Sequence, residues 1–143
     1  MFKQLVLVTG LLASGVVMAE PVDKWIEVTR VENGSSITYA NPSRMKIIDN
    51  KQEIVELWEK RLYLKDILER KIKKDDYYLN KLRLNCINQQ QMYLSLTFYS
   101  KDSPQTIPIP YPTWNDVLPD STGEGELITV CEFMFPKAET AAE

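Results

Sequence analysis

The sequence of 143 residues predicts an α+β domain whose main part is an antiparallel β-sheet. Three observations lead to this fold class. Apolar and polar side chains alternate in several segments, which is the pattern of strands with one buried face. Asn33-Gly34 lies between two such segments and is a strong hairpin signal. Cys86 and Cys131 follow an amino-terminal export signal, which predicts a disulfide between them.

The amino terminus has the three-part layout of a secretory signal peptide over residues 1–19. A positive charge at Lys3 precedes an uncharged run, residues 5–17, that is shorter than the roughly 20 residues of a membrane-spanning helix. Small residues then lead to a predicted cleavage site between Ala19 and Glu20. We therefore expect an exported protein without a transmembrane segment, located in the periplasm or on the outer cell surface.

The composition limits the classes of function. The chain has 17 basic and 20 acidic side chains, and cleavage would remove one lysine and no acid. This mild acidity argues against a nucleic-acid partner. There is no histidine, the usual general base and a common metal ligand. We therefore predict no catalytic residue, no cofactor and no metal site, and interpret Asp75-Asp76 and the Glu124/Glu126 pair as solvated turn and cap residues.

Six segments have strand character, and a proline at position 42 interrupts their succession because proline cannot donate to a sheet ladder. In the fifth segment Leu82, Leu84 and Cys86 share one face. In the sixth, the alternation predicts that Tyr93 and Tyr99 lie together on the face opposite Leu94, Leu96 and Phe98. The six segments are 25–31, 37–39, 45–48, 54–64, 82–86 and 93–99.

The charged stretch 62–74 predicts a short inserted helix. Its apolar side chains have helical spacing, and two oppositely charged pairs stand four positions apart. A charged hairpin arm that turns at Asp75-Asp76 is the alternative. The residues with this pattern are Leu64, Ile67, Leu68 and Ile72, with the pairs Asp66/Arg70 and Glu69/Lys73.

The carboxy-terminal third begins with residues 103–119, whose five prolines predict an extended surface connection. The next segment, 121–132, is ambiguous. Ser121 and Glu124 have capping-box spacing, which favours a helix, whereas the β-branched run 128–130 and two glycines favour a strand. We expect one domain over residues 20–135, followed by a disordered tail at 136–143.

The order of several short motifs resembles the surface-adhesin protein E family of Gram-negative bacteria. The likeness spans roughly residues 24–133, and it departs at 62–78, which is longer and more charged than expected. The motifs are Trp25, Tyr39-Ala-Asn-Pro-Ser43, Leu57-Trp58, the strand ending in Cys86, Trp114-x-x-Val117-x-Pro119-x-Ser121 and Val130-Cys131.

The resemblance implies an antiparallel sheet with a carboxy-terminal helix, docked across one face by the Cys86–Cys131 bond. It thereby favours a helix over 121–132. It also implies an adhesin that binds host extracellular-matrix or serum proteins and can form a homodimer. A likeness of fold does not by itself transfer an activity.

Two hypotheses of function follow. The first is an exported, non-enzymatic binding module for a protein partner, such as a surface adhesin. The second is a periplasmic accessory protein that contacts other envelope components. The candidate partner-binding residues are Tyr77, Tyr78, Tyr93 and Tyr99, because amphipathic aromatic side chains are common in binding surfaces. Such tyrosines are equally common on the half-exposed face of a sheet.

Overall fold

A computed structural model describes residues 24–101 and 103–137. Eight strands form one antiparallel sheet, and one α-helix follows them. The strands are β1 (Ile26–Arg30), β2 (Ser36–Ala40), β3 (Lys46–Asp49), β4 (Ile54–Tyr63), β5 (Tyr77–Asn85), β6 (Gln90–Ser100), β7 (Ser103–Ile107) and β8 (Asn115–Asp116); the helix is α1 (Thr122–Met134). The predicted signal peptide, the Ala19/Glu20 cleavage site and most of the predicted tail lie outside the described residues.

The main strands follow the order β1-β2-β4-β5-β6-β7 across the sheet. β3 extends the sheet beside the first half of β4, and β8 pairs with the start of β6. Gly34 has a φ of 71° in the turn between β1 and β2, a conformation that glycine adopts without strain. The predicted Asn33-Gly34 hairpin is therefore confirmed.

The hydrophobic core lies between one face of the sheet and α1. Val55 and Leu57 of β4 and Leu82 and Leu84 of β5 are fully buried there because they alternate with residues of the opposite face. α1 contributes Leu127 and Val130 to the same cluster. We call this side of the sheet the helix-side face.

α1 confirms the helix that the resemblance implied for 121–132. The helix begins after Ser121, whose Oγ accepts a hydrogen bond from the Glu124 amide at 3.2 Å, as the capping-box spacing predicts. The helix ends at Met134, two residues before Pro136. Cys86, directly after β5, and Cys131 of α1 form the predicted disulfide, which joins the helix to the sheet.

The short helix expected within 62–74 is present only as a 3₁₀ turn, and no amphipathic α-helix forms there. The segment holds only one 3₁₀ turn, Leu68–Arg70, between two residues that form an isolated bridge, Ile67 and Ile72. Two carboxylates of this region accept hydrogen bonds from backbone amides in a loop that is not α-helical. The Lys74 amide donates to Asp66 and the Lys73 amide to Asp76, each at 2.8 Å. Such side-chain to backbone bonds compete with helix formation.

The proline-rich segment 103–119 is extended, as predicted, but it also forms two short strands. Every residue of β7 is exposed at the edge of the sheet, and the strand contains Pro104. A proline at an edge removes a donor that another strand could use. Pro104 therefore makes it harder for a further strand to pair with β7.

Candidate binding face

The face of the sheet that points away from α1 forms a continuous surface on β4, β5 and β6. Because successive side chains of β4 point to opposite faces, Val55, Leu57 and Glu59 lie on the helix-side face and the residues between them lie on the other side. No α-helix lies on this second side in the described part of the chain. We call it the open face, and define it by Glu56, Trp58, Lys60, Leu62, Tyr77, Leu79, Lys81, Arg83 and Tyr99.

Aromatic rings and lysine side chains are in direct contact on the open face. Tyr77 and Tyr99 stack with ring centroids 4.8 Å apart and an interplanar angle of 9°. Lys60 Nζ lies 4.5 Å from the Tyr77 centroid, and Lys81 Nζ lies 5.8 Å from the ring centroid of Trp58. A cation–π contact at such a partly exposed site contributes about 0.5–1 kcal/mol. These contacts favour an arrangement in which the rings and the charges lie side by side.

The open face is locally positive. Glu56 pairs with Arg83 at 3.1 Å (Oε1 to Nε) and lies 3.6 Å from Lys81 (Oε2 to Nζ). On β4 and β5 the face thus carries three cations, Lys60, Lys81 and Arg83, and one acid, although the whole chain has a net charge of −3. All of these charged side chains are half-buried. The charge of the chain is therefore unevenly distributed, with an excess of cations at the centre of this face.

The four tyrosines predicted for partner binding do not share one surface. Tyr77 and Tyr99 lie together on the open face. Tyr78 lies on the helix-side face, where it contacts Tyr63 and Phe98 with centroid distances of 6.2 Å and 4.9 Å. Tyr93 lies on the helix-side face as well and packs against the core.

A β-bulge explains why Tyr93 and Tyr99 do not share a face as expected. Lys81 of β5 is paired with Ser95, but the next residue, Leu82, is paired with Tyr93, so β6 has one extra residue, Leu94. An extra residue inverts the alternation from that point on. Trp58 and Lys60 were missed as candidates, although the alternation around Leu57 indicates their position opposite the core.

The helix-side face contains a buried acid pair, Glu59 of β4 and Glu126 of α1. Their side chains are 0% and 1% exposed. Asn80 Nδ2 donates to Glu59 Oε1 at 2.8 Å, and Arg61 Nη2 lies 4.0 Å from the same oxygen. The interpretation of Glu126 as a solvated cap residue is therefore wrong. The sequence feature that could have indicated this pair is Glu59, because it lies on the same face of the alternating segment as the apolar Leu57.

Asp76 is likewise buried and not solvated, at 3% exposure. Its carboxylate accepts the hydrogen bond from the Lys73 amide, and its backbone carbonyl accepts one from the Tyr63 amide at 2.9 Å. Asp76 therefore joins the loop after β4 to the start of β5. Asp75, its neighbour, is exposed and has a φ of 73° in the same turn.

The environment of the acid pair favours the protonated form of Glu126. Burial raises the pKa of Glu126 well above its usual value, and the adjacent Glu59 raises it further, whereas Arg61 acts in the opposite direction. Burial, with a smaller effect of Glu59, also raises the pKa of Tyr93. The pair consequently holds a proton under conditions in which an exposed glutamate is ionised.

A cavity of about 240 Å³ lies beside this cluster, between the sheet and the start of α1. Arg61, Gln91 and Tyr93 line it from the sheet, and Thr122 and Gly123 line it from the helix. Glu59 and Glu126 are not among its lining residues. The acid pair is thus closed both to this cavity and to solvent.

The described residues hold no group of three or more acidic or cysteine side chains placed to bind a metal ion. In the same two ranges, 24–101 and 103–137, no helix is long and apolar enough to cross a membrane. Neither Cys86 nor Cys131 is free, since the two form the disulfide.

Comparison with known proteins gives no relative: no family model, no curated protein and no solved structure matches this chain. The resemblance to the surface-adhesin protein E family therefore rests on the sequence motifs alone.

Proposed function

We propose that this chain is an exported, non-enzymatic binding module that engages an acidic protein partner through the open face. The observation that carries the proposal is the arrangement of Trp58, Lys60, Tyr77, Lys81 and Tyr99, all partly exposed, on one side of the sheet. Tryptophan and tyrosine side chains supply much of the binding energy in protein interfaces.

The charge distribution supports an acidic partner. Three cations and one acid on β4 and β5 give the centre of the open face a positive potential within an acidic protein. Such a face attracts an acidic segment and repels a basic one, which increases both the association rate and the specificity of binding. The stacked Tyr77 and Tyr99 rings offer apolar contact beside these charges.

The geometry of the acid pair supports a binding role over catalysis. A general acid or base must come within hydrogen-bond reach of its substrate. The pKa of Glu126 is raised, but Glu59 and Glu126 are at most 1% exposed and do not line the neighbouring cavity. A substrate therefore has no access to them in this structure.

We further propose that the module works outside the cytosol, on the cell surface or in the periplasm. The Cys86–Cys131 disulfide supports this location, because such bonds persist in oxidising compartments. The adhesin-E-like motif order suggests a host matrix or serum protein as the partner at the surface. An envelope protein would be the partner in the periplasm.

The test measures the equilibrium affinity of the domain for a labelled Asp- and Glu-rich peptide in low-salt buffer. We expect the double variant Lys60→Glu/Lys81→Glu to bind roughly ten- to hundredfold more weakly, because each substitution replaces attraction with repulsion. The matched control is Lys74→Glu/Lys137→Glu, which changes the net charge equally at exposed positions outside the open face. This control should retain at least most of the wild-type affinity.

Two outcomes would overturn the proposal. Equal losses in the two double variants would show that net charge, and not the open face, governs the interaction. Binding to a sulfated polysaccharide without binding to the acidic peptide would show that the partner is a glycan. Raising the salt concentration should weaken the wild-type interaction progressively, since the attraction is screened.

A further inference from the structure

The contact between α1 and the sheet includes two carboxyl groups where apolar packing would be expected. Glu126 precedes Leu127 in the helix, and Glu59 follows Leu57 by two residues in β4, so both acids lie beside the core. Glu59 lies close enough to Glu126 to raise the pKa of the Glu126 carboxyl. Each also has one buried oxygen that finds no donor, Glu59 Oε2 and Glu126 Oε1.

One proton on Glu126 would remove the repulsion between the two carboxyl groups. Two ionised carboxylates present only acceptors to each other and repel, whereas a protonated Glu126 can donate a hydrogen bond to Glu59. The proton therefore converts a repulsive contact between β4 and α1 into an attractive one. A buried acceptor without a donor is costly, so the proton stabilises both oxygens at once.

The surroundings do not replace this proton. Among the described residues, the cation that lowers the pKa of Glu126 is Arg61 of β4, and its Nη2 lies 4.0 Å from Glu59 Oε1. Asn80 of β5 donates to the oxygen of Glu59 that is already satisfied. Tyr93 of β6 also faces Glu59, and it stays neutral because burial, with a smaller effect of Glu59, raises the pKa of its hydroxyl. A single cation on one side does not neutralise two buried carboxylates.

We propose that Glu59 and Glu126 form a pH-sensitive latch that holds α1 on the sheet while they share a proton and releases it when both are ionised. Cys86–Cys131 keeps the released helix attached to the end of β5. Release exposes Leu127 and Val130 of the helix together with the apolar helix-side face of β4 and β5. The latch makes exposure of this apolar surface dependent on pH.

The direction of the pH effect follows from the raised pKa of Glu126. The folded state holds this proton more tightly than the unfolded chain does. The stabilisation is therefore complete below the ordinary glutamate pKa, near 4.5, and it is lost as the pH rises towards the folded-state value. Docking of α1 should be firmest in mildly acidic solution and weaken as the medium becomes alkaline.

Hydrogen exchange of the backbone amides at several pH values, corrected for the intrinsic rate, tests the latch. In the wild-type protein we expect protection of α1 amides, such as that of Val130, to fall by up to tenfold per pH unit over part of the range from about pH 5 to about pH 9. Amides of β5 should keep their protection, because only the helix is released.

Substitutions separate the latch from a general loss of stability. Glu126→Gln keeps a donor opposite Glu59 at every pH, so protection of α1 should become independent of pH. Glu59→Gln is a second variant, should the first fail to fold. Its total fall in α1 protection should be smaller than in the wild type but not absent, because burial alone still raises the pKa of Glu126. Glu132→Gln, on the exposed side of α1, is the matched control and should behave as the wild type.

Three results would overturn the inference. α1 protection that does not vary with pH in the wild type would show that no latch exists. A wild-type slope in both glutamine variants would assign the effect to other groups. Simultaneous loss of protection in α1 and β5 would show that ionisation unfolds the whole domain and does not release the helix.

Discussion

Replacing both cysteines, Cys86→Ala/Cys131→Ala, is expected to lower the free energy of unfolding by about 4 kcal/mol. The two residues are 45 positions apart, and closing a loop of that size removes this much chain entropy from the unfolded state. Loss of the bridge also leaves α1 attached to the sheet only by packing and hydrogen bonds. The measurement is urea unfolding of the oxidised wild type and of the double variant.

The wild-type protein in the presence of a reductant is the matched control, since it loses the bond without losing the side chains. It should approach the stability of the double variant. Equal stability of the oxidised wild type and the double variant would contradict the role that we give to the disulfide. A loss confined to α1, detected by hydrogen exchange, would show that the bond holds the helix and does not stabilise the whole domain.

Substituting Gly125→Ala is expected to destabilise the domain by roughly 1–3 kcal/mol, the usual cost of overpacking. An added Cβ at this position would clash with Oγ1 of Thr29 in β1 and lie 3.0 Å from the Thr29 Cβ, so the helix would have to move away from the sheet. The Thr129 hydroxyl, 3.1 Å from the Val28 carbonyl oxygen, would move with it. Urea unfolding measures the loss.

Gly123→Ala is the matched control, because it changes the same residue type in the same first turns of α1. Its added Cβ would lie 3.3 Å from Oε1 of Gln91, the end of a flexible side chain. Alanine also gains up to about 1 kcal/mol of helix propensity over glycine. We expect no loss of stability at position 123. A loss as large as that of Gly125→Ala would refute the close approach of α1 to β1 as the cause.

These two glycines show why the sequence left 121–132 undecided between helix and strand. Glycine lowers helix propensity, and the β-branched run 128–130 favours a strand. The structure explains why glycine occupies position 125: the absence of a Cβ allows the helix to approach Thr29 closely. Tertiary contact therefore outweighs local preference, and neither composition nor periodicity could show it.

Most of the sheet could be predicted because local signals agreed with the final contacts. Alternation around Leu57 and Leu84 marks β4 and β5, and Asn33-Gly34 marks the first hairpin. The segment 62–74 forms a 3₁₀ turn and no α-helix, because Asp66 and Asp76 accept hydrogen bonds from backbone amides of the loop. Such bonds depend on where the chain returns, which helical spacing does not reveal.

The site could be predicted only in part, for two physical reasons. A single extra residue, Leu94, inverts the alternation of β6 and separates Tyr93 from Tyr99. The acid pair joins residues from distant parts of the chain, so its partner Glu126 could be identified only after α1 was placed against β4. Charged residues at apolar-face positions, such as Glu59, are the sequence feature that merits attention in similar chains.

Photo-crosslinking in cells that naturally produce the chain tests the binding role of the open face most directly. A benzophenone amino acid would replace Thr97 of β6, whose pairing partner in β5 is Leu79 of the open face, or Glu132 on the exposed side of α1. We expect a protein adduct from position 97 that Lys60→Glu/Lys81→Glu abolishes, and none from position 132. An adduct from position 132 alone would contradict the proposal that the open face binds the partner.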